Sequence, residues 1–239
     1  MNYTDISKMI DHSLLQPVMT VDMLESGIQL AKAYDVASVC IMPYYLKRCS
    51  DLLGDSTVKP STTIGFPHGG HTTVIKEAEA KQAIADGCEE LDMVVNISKV
   101  LSEDWDYVRA DIKAVVDVAH EAGQKVKVIF ENCYLQDSHK IRLCEICAEV
   151  GADWVKTSTG YGTGGATIED LKLMREHSPA SVEVKAAGGV RDYDKLLEVR
   201  ALGVSRIGAS ATKVILDECR KRMELEPIEA EQTGTTGGY

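Results

Sequence analysis

The sequence predicts a single-domain α/β protein, a closed (β/α)8 barrel, on three observations. Short apolar, β-branched runs alternate with segments of helical spacing, which implies a parallel sheet with helices outside. The runs at 36–41, 61–66, 90–96, 126–131, 153–159, 182–187 and 204–208 start 25, 29, 36, 27, 29 and 22 residues apart, the length of one strand–helix unit. No GxGxxG turn follows the first of them, which argues against an open, doubly wound sheet. With 239 residues, the chain is near the roughly 250 typical of the architecture known as the TIM barrel.

Seven clear strands are one short of closure, and segment 8–11 is the candidate for the first. Gln16-Pro17 breaks the chain after it, and a helix-like run covers 21–33. Val74, Ala78, Lys81 and Ala85 repeat at helical spacing until Gly87 stops them. Val108, Ile112, Val115, Val116 and Ala119 form the apolar stripe of a longer helix ending at Gly123. A further helix is expected around 193–202. No linker divides the chain, so residues 1–223 form one domain. The acidic, then Gly/Thr-rich stretch 224–239 reads as a short flexible tail ending in Tyr239.

Composition removes several classes of function. The net charge is −11, so a basic face for nucleic acid or anionic membrane is not expected. Two Phe and two Trp offer few stacking platforms. No run approaches the ~18 apolar residues of a membrane span, and the N-terminus lacks a basic and then apolar leader. Seven scattered Cys suit reduced thiols in a cytoplasm.

Three strands share an anomaly. Val126-Lys127-Val128, Val155-Lys156-Thr157 and Val184-Lys185-Ala186 each place a lysine inside an apolar strand, 29 and 29 residues apart. Snorkelling from a strand end explains one such lysine; three at equal spacing argue for use, because burying charge is costly. In Glu90-Leu91-Asp92-Met93-Val94-Val95-Asn96, Asp92 supplies a mid-strand partner, with Asn96 on its face. A lysine is nucleophilic only when neutral, and a nearby cation or loss of solvent lowers its pKa. Two lysines with a carboxylate between them divide the labour of Schiff-base chemistry, which needs no metal. Glycine-rich turns follow the last three strands: Thr159-Gly160-Tyr161-Gly162, Ala187-Gly188-Gly189-Val190-Arg191 and Gly208-Ala209-Ser210-Ala211. Such turns let amides approach an anion, and phosphate sites recur there in this fold.

Together with Ile10-Asp11-His12-Ser13-Leu14-Leu15 and Thr63-Ile64-Gly65-Phe66-Pro67, these motifs resemble the class I deoxyribose-phosphate aldolases, from about residue 9 to about 220. The resemblance implies an eighth strand at 9–11. It also implies reversible cleavage of 2-deoxy-D-ribose 5-phosphate to acetaldehyde and D-glyceraldehyde 3-phosphate, with no cofactor beyond a covalent imine. On matching positions Lys156 is the imine lysine, Lys185 the lysine that depresses its pKa, and Asp92 the proton-transfer group. Gly160, Gly188, Gly189, Gly208 and Ser210 would hold phosphate, and Cys40 and Asp11 lie near the sugar. Lys127 joins them as a substrate-binding cation, and Tyr239 would fold over the site to assist proton transfer. Ala211 stands where some members carry a second serine, and Tyr161 where some carry a lysine, which leaves phosphate affinity open.

Other signals are weaker. His68-Gly69-Gly70-His71 lacks an evident third metal ligand. Cys144 and Cys147 have redox spacing but fall on the apolar stripe of a helix, with Ile141 and Ala148. A barrel isomerase or epimerase using Asp92 as base, or an aldolase for another sugar phosphate or an unphosphorylated aldehyde, is the alternative enzyme. A catalytically silent sugar-phosphate binder is the non-enzymatic one. The expected partner is a small phosphorylated sugar or aldehyde. The helical exterior is compatible with a homo-oligomer, dimer or tetramer, but no face demands one.

Overall fold

The barrel begins where a short helix permits. In the computed structural model, which describes residues 1–230, helix Tyr3–Ser7 opens with a capping box between Asn2 and Asp5. Its C-cap, Lys8, keeps helical backbone geometry and sets its ammonium 2.6 Å from Asp35 Oδ1. Lys8 is therefore not extended. The first strand is β1, Ile10–Leu14, later than the expected 8–11 or 9–11.

The others are β2 (Ser38–Ile41), β3 (Lys59–Ile64), β4 (Glu90–Val94), β5 (Lys125–Ile129), β6 (Trp154–Lys156), β7 (Glu183–Ala187) and β8 (Arg206–Ala209). Each pairs in parallel with the next, and β8 pairs with β1 to close a (β/α)8 TIM barrel, as the alternation predicts. β4 stops at Val94 because Asn96 N-caps helix Ile97–Leu101, its side chain accepting the Lys99 N–H at 3.2 Å. Asn96 has thus left the strand and does not share the inner face of Asp92.

Helices cover the outside. The run 21–33 is helix Val21–Ala33, and helix Tyr193–Ala201 fills the expected 193–202. Helix Trp105–Glu121 buries Val108, Ile112, Val115, Val116 and Ala119, the predicted stripe. Burying each Val or Ile side chain contributes about 1.5–3 kcal/mol, which fastens the helix to the sheet. Helix Thr73–Ala85 uses charge as well: buried Lys76 sets its ammonium 2.5 Å from Asp111 Oδ2 and donates to Val94 O at 2.8 Å. One ion pair thereby ties two helices to the C-terminal end of β4.

His12 fastens β1 to its helices. It faces away from the barrel axis, with Nδ1 2.8 Å from Thr212 Oγ1 at the start of helix Thr212–Arg222. Gly27 lets helix Val21–Ala33 approach here: a Cβ at residue 27 would lie 2.6 Å from Leu14 Cδ2 and 3.3 Å from His12 Nε2. Burial lowers the His12 pKa from 6.5 to about 4. On acidification the unfolded chain takes up this proton below pH 6.5 and the folded chain only near pH 4, so stability present above pH 6.5 is lost between those values. The loss amounts to about 3 kcal/mol. His12→Asn does not titrate, so its urea midpoint should vary less with pH between 6.5 and 4 than that of the unaltered protein. An unchanged slope would remove His12 as its source.

The start of the expected tail is tied down. Arg220 donates to Glu226 O at 2.8 and 2.5 Å, and Ile228 and Ala230 pack against the core. The rest, including Tyr239, lies outside the described residues. Among the described residues no helix is long and apolar enough to cross a membrane.

Candidate active site

Alternation along the strands turns Asp11, Cys40, Asp92, Lys127, Lys156, Lys185 and Arg206 toward the barrel axis. They do not stand at one height. Lys156 pairs with Lys185 in register, but Lys127 pairs with Trp154, two residues below Lys156. Equal spacing in sequence suggested three equivalent positions; the stagger that closes a barrel offsets them.

Lys127 therefore belongs to the floor. Its ammonium lies 2.5 Å from Glu90 Oε2, 3.0 Å from Asp92 Oδ1 and 3.4 Å from Asp11 Oδ2, fully buried. Burial opposes its charge, but Asp11, Asp92 and Glu90 outweigh it and hold its pKa well above the usual lysine range. Lys127, expected as a substrate contact, thus has three carboxylates around it and does not line the cavity described below.

Above it, Asp92 Oδ2 accepts from Lys156 at 2.8 Å and from Lys185 at 2.7 Å. Lys185 also sits 2.5 Å from Asp11 Oδ2. Asp11 Oδ1 accepts from Ser38 Oγ at 2.7 Å and from Arg206 Nη1 at 2.6 Å. Burial works against both carboxylates, yet the surrounding cations keep Asp11 and Asp92 well below the ordinary range. The two upper lysines part company. Burial lowers the Lys156 pKa, and Lys185 adds to the fall while only Asp92 among the carboxylates resists it. Lys185 suffers the same burial but gains from both Asp11 and Asp92, and its pKa is raised.

Lys156 and Lys185 form one wall of a cavity of about 360 Å³, together with Asp11 and Cys40. Asp92 lies behind them, fully buried, and reaches the cavity through their ammonium groups. Burial, with Asp92 nearby, pushes the Cys40 thiol up to about 11, so it lines the wall as a neutral group. Gly160, Gly188, Gly189, Gly208 and Ser210, from the turns after the last three strands, also line it, with Gly208 close enough that a Cβ there would lie 3.6 Å from Lys185 Cε. Gly188 has φ +78° and packs backbone to backbone on the β6 loop, where a Cβ at residue 165 would lie 2.6 Å from Gly188 O. The Ala166 N–H donates to Ala187 O and Gly188 O, both at 3.0 Å, which locks the two loops together. These turns are rich in amides and suit an anion.

The two departures noted in the sequence have separate places. Ala211 is the N-cap of helix Thr212–Arg222 without a side-chain bond, so the missing hydroxyl falls at a helix N-terminus on the cavity wall. Tyr161 is a rim brace: its hydroxyl donates to Leu15 O at 2.7 Å, and its ring stands edge-on to Phe66 at 5.3 Å. Arg191, which follows the Gly188-Gly189 turn, also lines the cavity; it forms no ion pair among the described residues. Glu90, Arg206 and Ser38 were missed as well. The first two stand at the first residues of β4 and β8, where an exposed strand end accounts for a charge equally well.

Neither competing motif gathers a site. His68 and His71 are exposed, and among the described residues no three His, Cys, Asp or Glu cluster as metal ligands. Cys144 and Cys147 are buried in helix Asp137–Val150, and burial raises the first thiol to about 11 and the second well above its usual value.

A (β/α)8 barrel whose mouth holds a desolvated amine beside a cation and a carboxylate, facing an amide-lined pocket, defines the enzymes of amine–carbonyl chemistry on small anionic substrates. Residues 6–215 match the model of the DeoC/LacD family aldolases, and the chain belongs to that family. It is 68% identical to the deoxyribose-phosphate aldolase of Rhodopirellula baltica over 235 residues, 98% of each chain. The deoxyribose-phosphate aldolase of Thermococcus gammatolerans is 46% identical over 90% of this chain and 97% of its own. Among solved structures, the tetrameric deoxyribose phosphate aldolase of Aeropyrum pernix superposes with a TM-score of 0.85 at 29% identity, over 92% of this chain and 93% of that one.

Proposed function

We propose that this chain is a class I aldolase that reversibly cleaves 2-deoxy-D-ribose 5-phosphate to D-glyceraldehyde 3-phosphate and acetaldehyde, as the names of its relatives suggest. The observation that carries the reading is the division among the lysines: on the cavity wall Lys156 has a lowered pKa while Lys185 stays charged.

The neutral Lys156 amine attacks C1 of the open-chain aldehyde, and loss of water gives a protonated imine. That cation is the electron sink, so no metal is needed. Removal of the proton from the C3 hydroxyl, by Asp92 acting through a water or through Lys185, breaks the C2–C3 bond. The bonding pair moves onto the imine as an enamine, and D-glyceraldehyde 3-phosphate leaves. Protonation at C2 and addition of water then release acetaldehyde and restore the amine. Gly188, Gly189, Gly208 and Ser210 hold the phosphate, with Arg191 at the mouth. Asp11 and Cys40 flank the sugar. The acidic chain with reduced thiols suits a cytoplasmic enzyme, and a homo-oligomer is the assembly expected by analogy with the tetrameric relative.

The reading is tested by offering 2-deoxy-D-ribose 5-phosphate and unphosphorylated 2-deoxyribose separately, with and without EDTA. The phosphorylated sugar should be cleaved faster, with acetaldehyde and D-glyceraldehyde 3-phosphate formed in equal amounts and no loss of rate in EDTA. An isomerised five-carbon product, or a rate abolished by EDTA, would sink it.

A further inference from the structure

Beneath the cavity the barrel holds charges that never meet the substrate. Arg206 on β8 and Glu90 on β4 are absent from the cavity wall and join across the floor as a forked pair, Nη1–Oε2 2.8 Å and Nη2–Oε1 3.1 Å. The guanidinium lies 5.0 Å from the Trp154 ring centroid, and the Trp154 indole N–H donates to Ser205 Oγ at 3.1 Å. Two arms rise from this pair. Arg206 holds Asp11, which faces Lys185; Glu90 holds Lys127, which faces Asp92.

The charges enclosed within the barrel do not balance. Lys127, Lys156, Lys185 and Arg206 confront three carboxylates, Asp11, Glu90 and Asp92. An uncompensated charge in a dry interior is costly, and the loss of one proton removes it. Arg206 does not give up a proton in a protein. Lys127 touches three carboxylates and Lys185 two, whereas Lys156 touches Asp92 alone. Lys156 is therefore the base that yields. The other groups around it do not disturb the count. Cys40 on β2 is a neutral thiol and neutral His12 on β1 faces away, while Lys59 on β3, Lys125 on β5 and Glu183 on β7 share the inward face but sit at the exposed first residues of their strands, where water screens them.

We propose that Arg206 and Glu90 are positioning residues that set, through the buried charge balance and without touching substrate, the pH at which Lys156 becomes a nucleophile. The inference rests on the aldolase reading above and deepens it. Glu90 is two residues from Asp92 along β4, roughly 7 Å, so a unit charge at its position acts on the lysine cluster through the interior. Glu90→Gln leaves four bases against two carboxylates, and Lys156 loses its proton more readily. Arg206→Met leaves three against three, and Lys156 keeps it.

The test is the pH midpoint of kcat/KM, read alongside the pH dependence of acetaldehyde labelling of Lys156 under cyanoborohydride, with the labelled lysine located by peptide mapping. Glu90→Gln should move both midpoints down by about one pH unit, and Arg206→Met should move both up by about as much. The double variant E90Q/R206M should return them close to the original values, and Arg206→Lys should hardly move them. A merely structural role would lower rates without opposite shifts. Equal or same-direction shifts, with the label still on Lys156, overturn the proposal and leave the aldolase reading intact; absence of label on Lys156 in the unaltered enzyme overturns both. Should Arg206→Met not fold, the near-isosteric Glu90→Gln decides alone, by a downward shift or by none.

Discussion

Lys156→Ala lowers turnover of 2-deoxy-D-ribose 5-phosphate by at least about 10⁴-fold at every pH, because among the described residues no other amine on the cavity wall is free to become neutral. Among the described residues Lys185 is the only neighbouring candidate, and its contacts with Asp11 and Asp92 keep it charged. Raising the pH does not rescue the variant, since the missing group is the nucleophile and not its protonation state. The fold should survive. Asp92 keeps Lys127 at 3.0 Å and Lys185 at 2.7 Å, so removal of Lys156 orphans no carboxylate, and the interior is left with equal numbers of bases and acids. A thermal melt close to that of the unaltered protein, together with the loss of turnover, separates chemistry from stability. Retention of more than about a hundredth of the activity would contradict the assignment.

Lys185→Leu produces the second largest effect, a fall of about 10²–10³ in kcat at neutral pH, the scale of losing one preorganised charge beside the reacting group. Its signature is the pH profile. Lys185 lowers the Lys156 pKa, so its removal lets Lys156 hold its proton longer. The ascending limb of the residual activity therefore moves to higher pH, by about one unit. A reduced rate with an unmoved limb would assign Lys185 a role in positioning substrate instead.

The elements of this site that were legible in the sequence were those written as exceptions to a local rule. A lysine in an apolar strand breaks strand patterning, and three of them, with Asp92, marked the barrel axis before any geometry. Glycine-rich turns after the last three strands marked another part of the cavity lining. Height along the axis was not legible. Lys127, Lys156 and Lys185 are equally spaced in sequence, but register depends on the stagger of the closed barrel, a global property. That stagger sends Lys127 to the floor opposite Trp154. Arg206 and Glu90 escaped for a related reason: each sits at the first residue of its strand, where an exposed end explains a charge equally well until closure brings β8 and β4 together. Asn96 was misplaced because its competing role, capping a helix two residues beyond the strand end, is local chemistry that overrode alternation. The start of β1 shifted likewise, under a capping box at Asn2.

The central claim is that one lysine, Lys156, carries the reaction as an imine. Reduction with borohydride in the presence of acetaldehyde, followed by digestion and peptide mass mapping, tests it most directly. An ethyl group is expected on Lys156 and none on Lys127 or Lys185, with activity lost in proportion to labelling. A label on Lys185, or no label on an enzyme that turns over the same substrate, would contradict it.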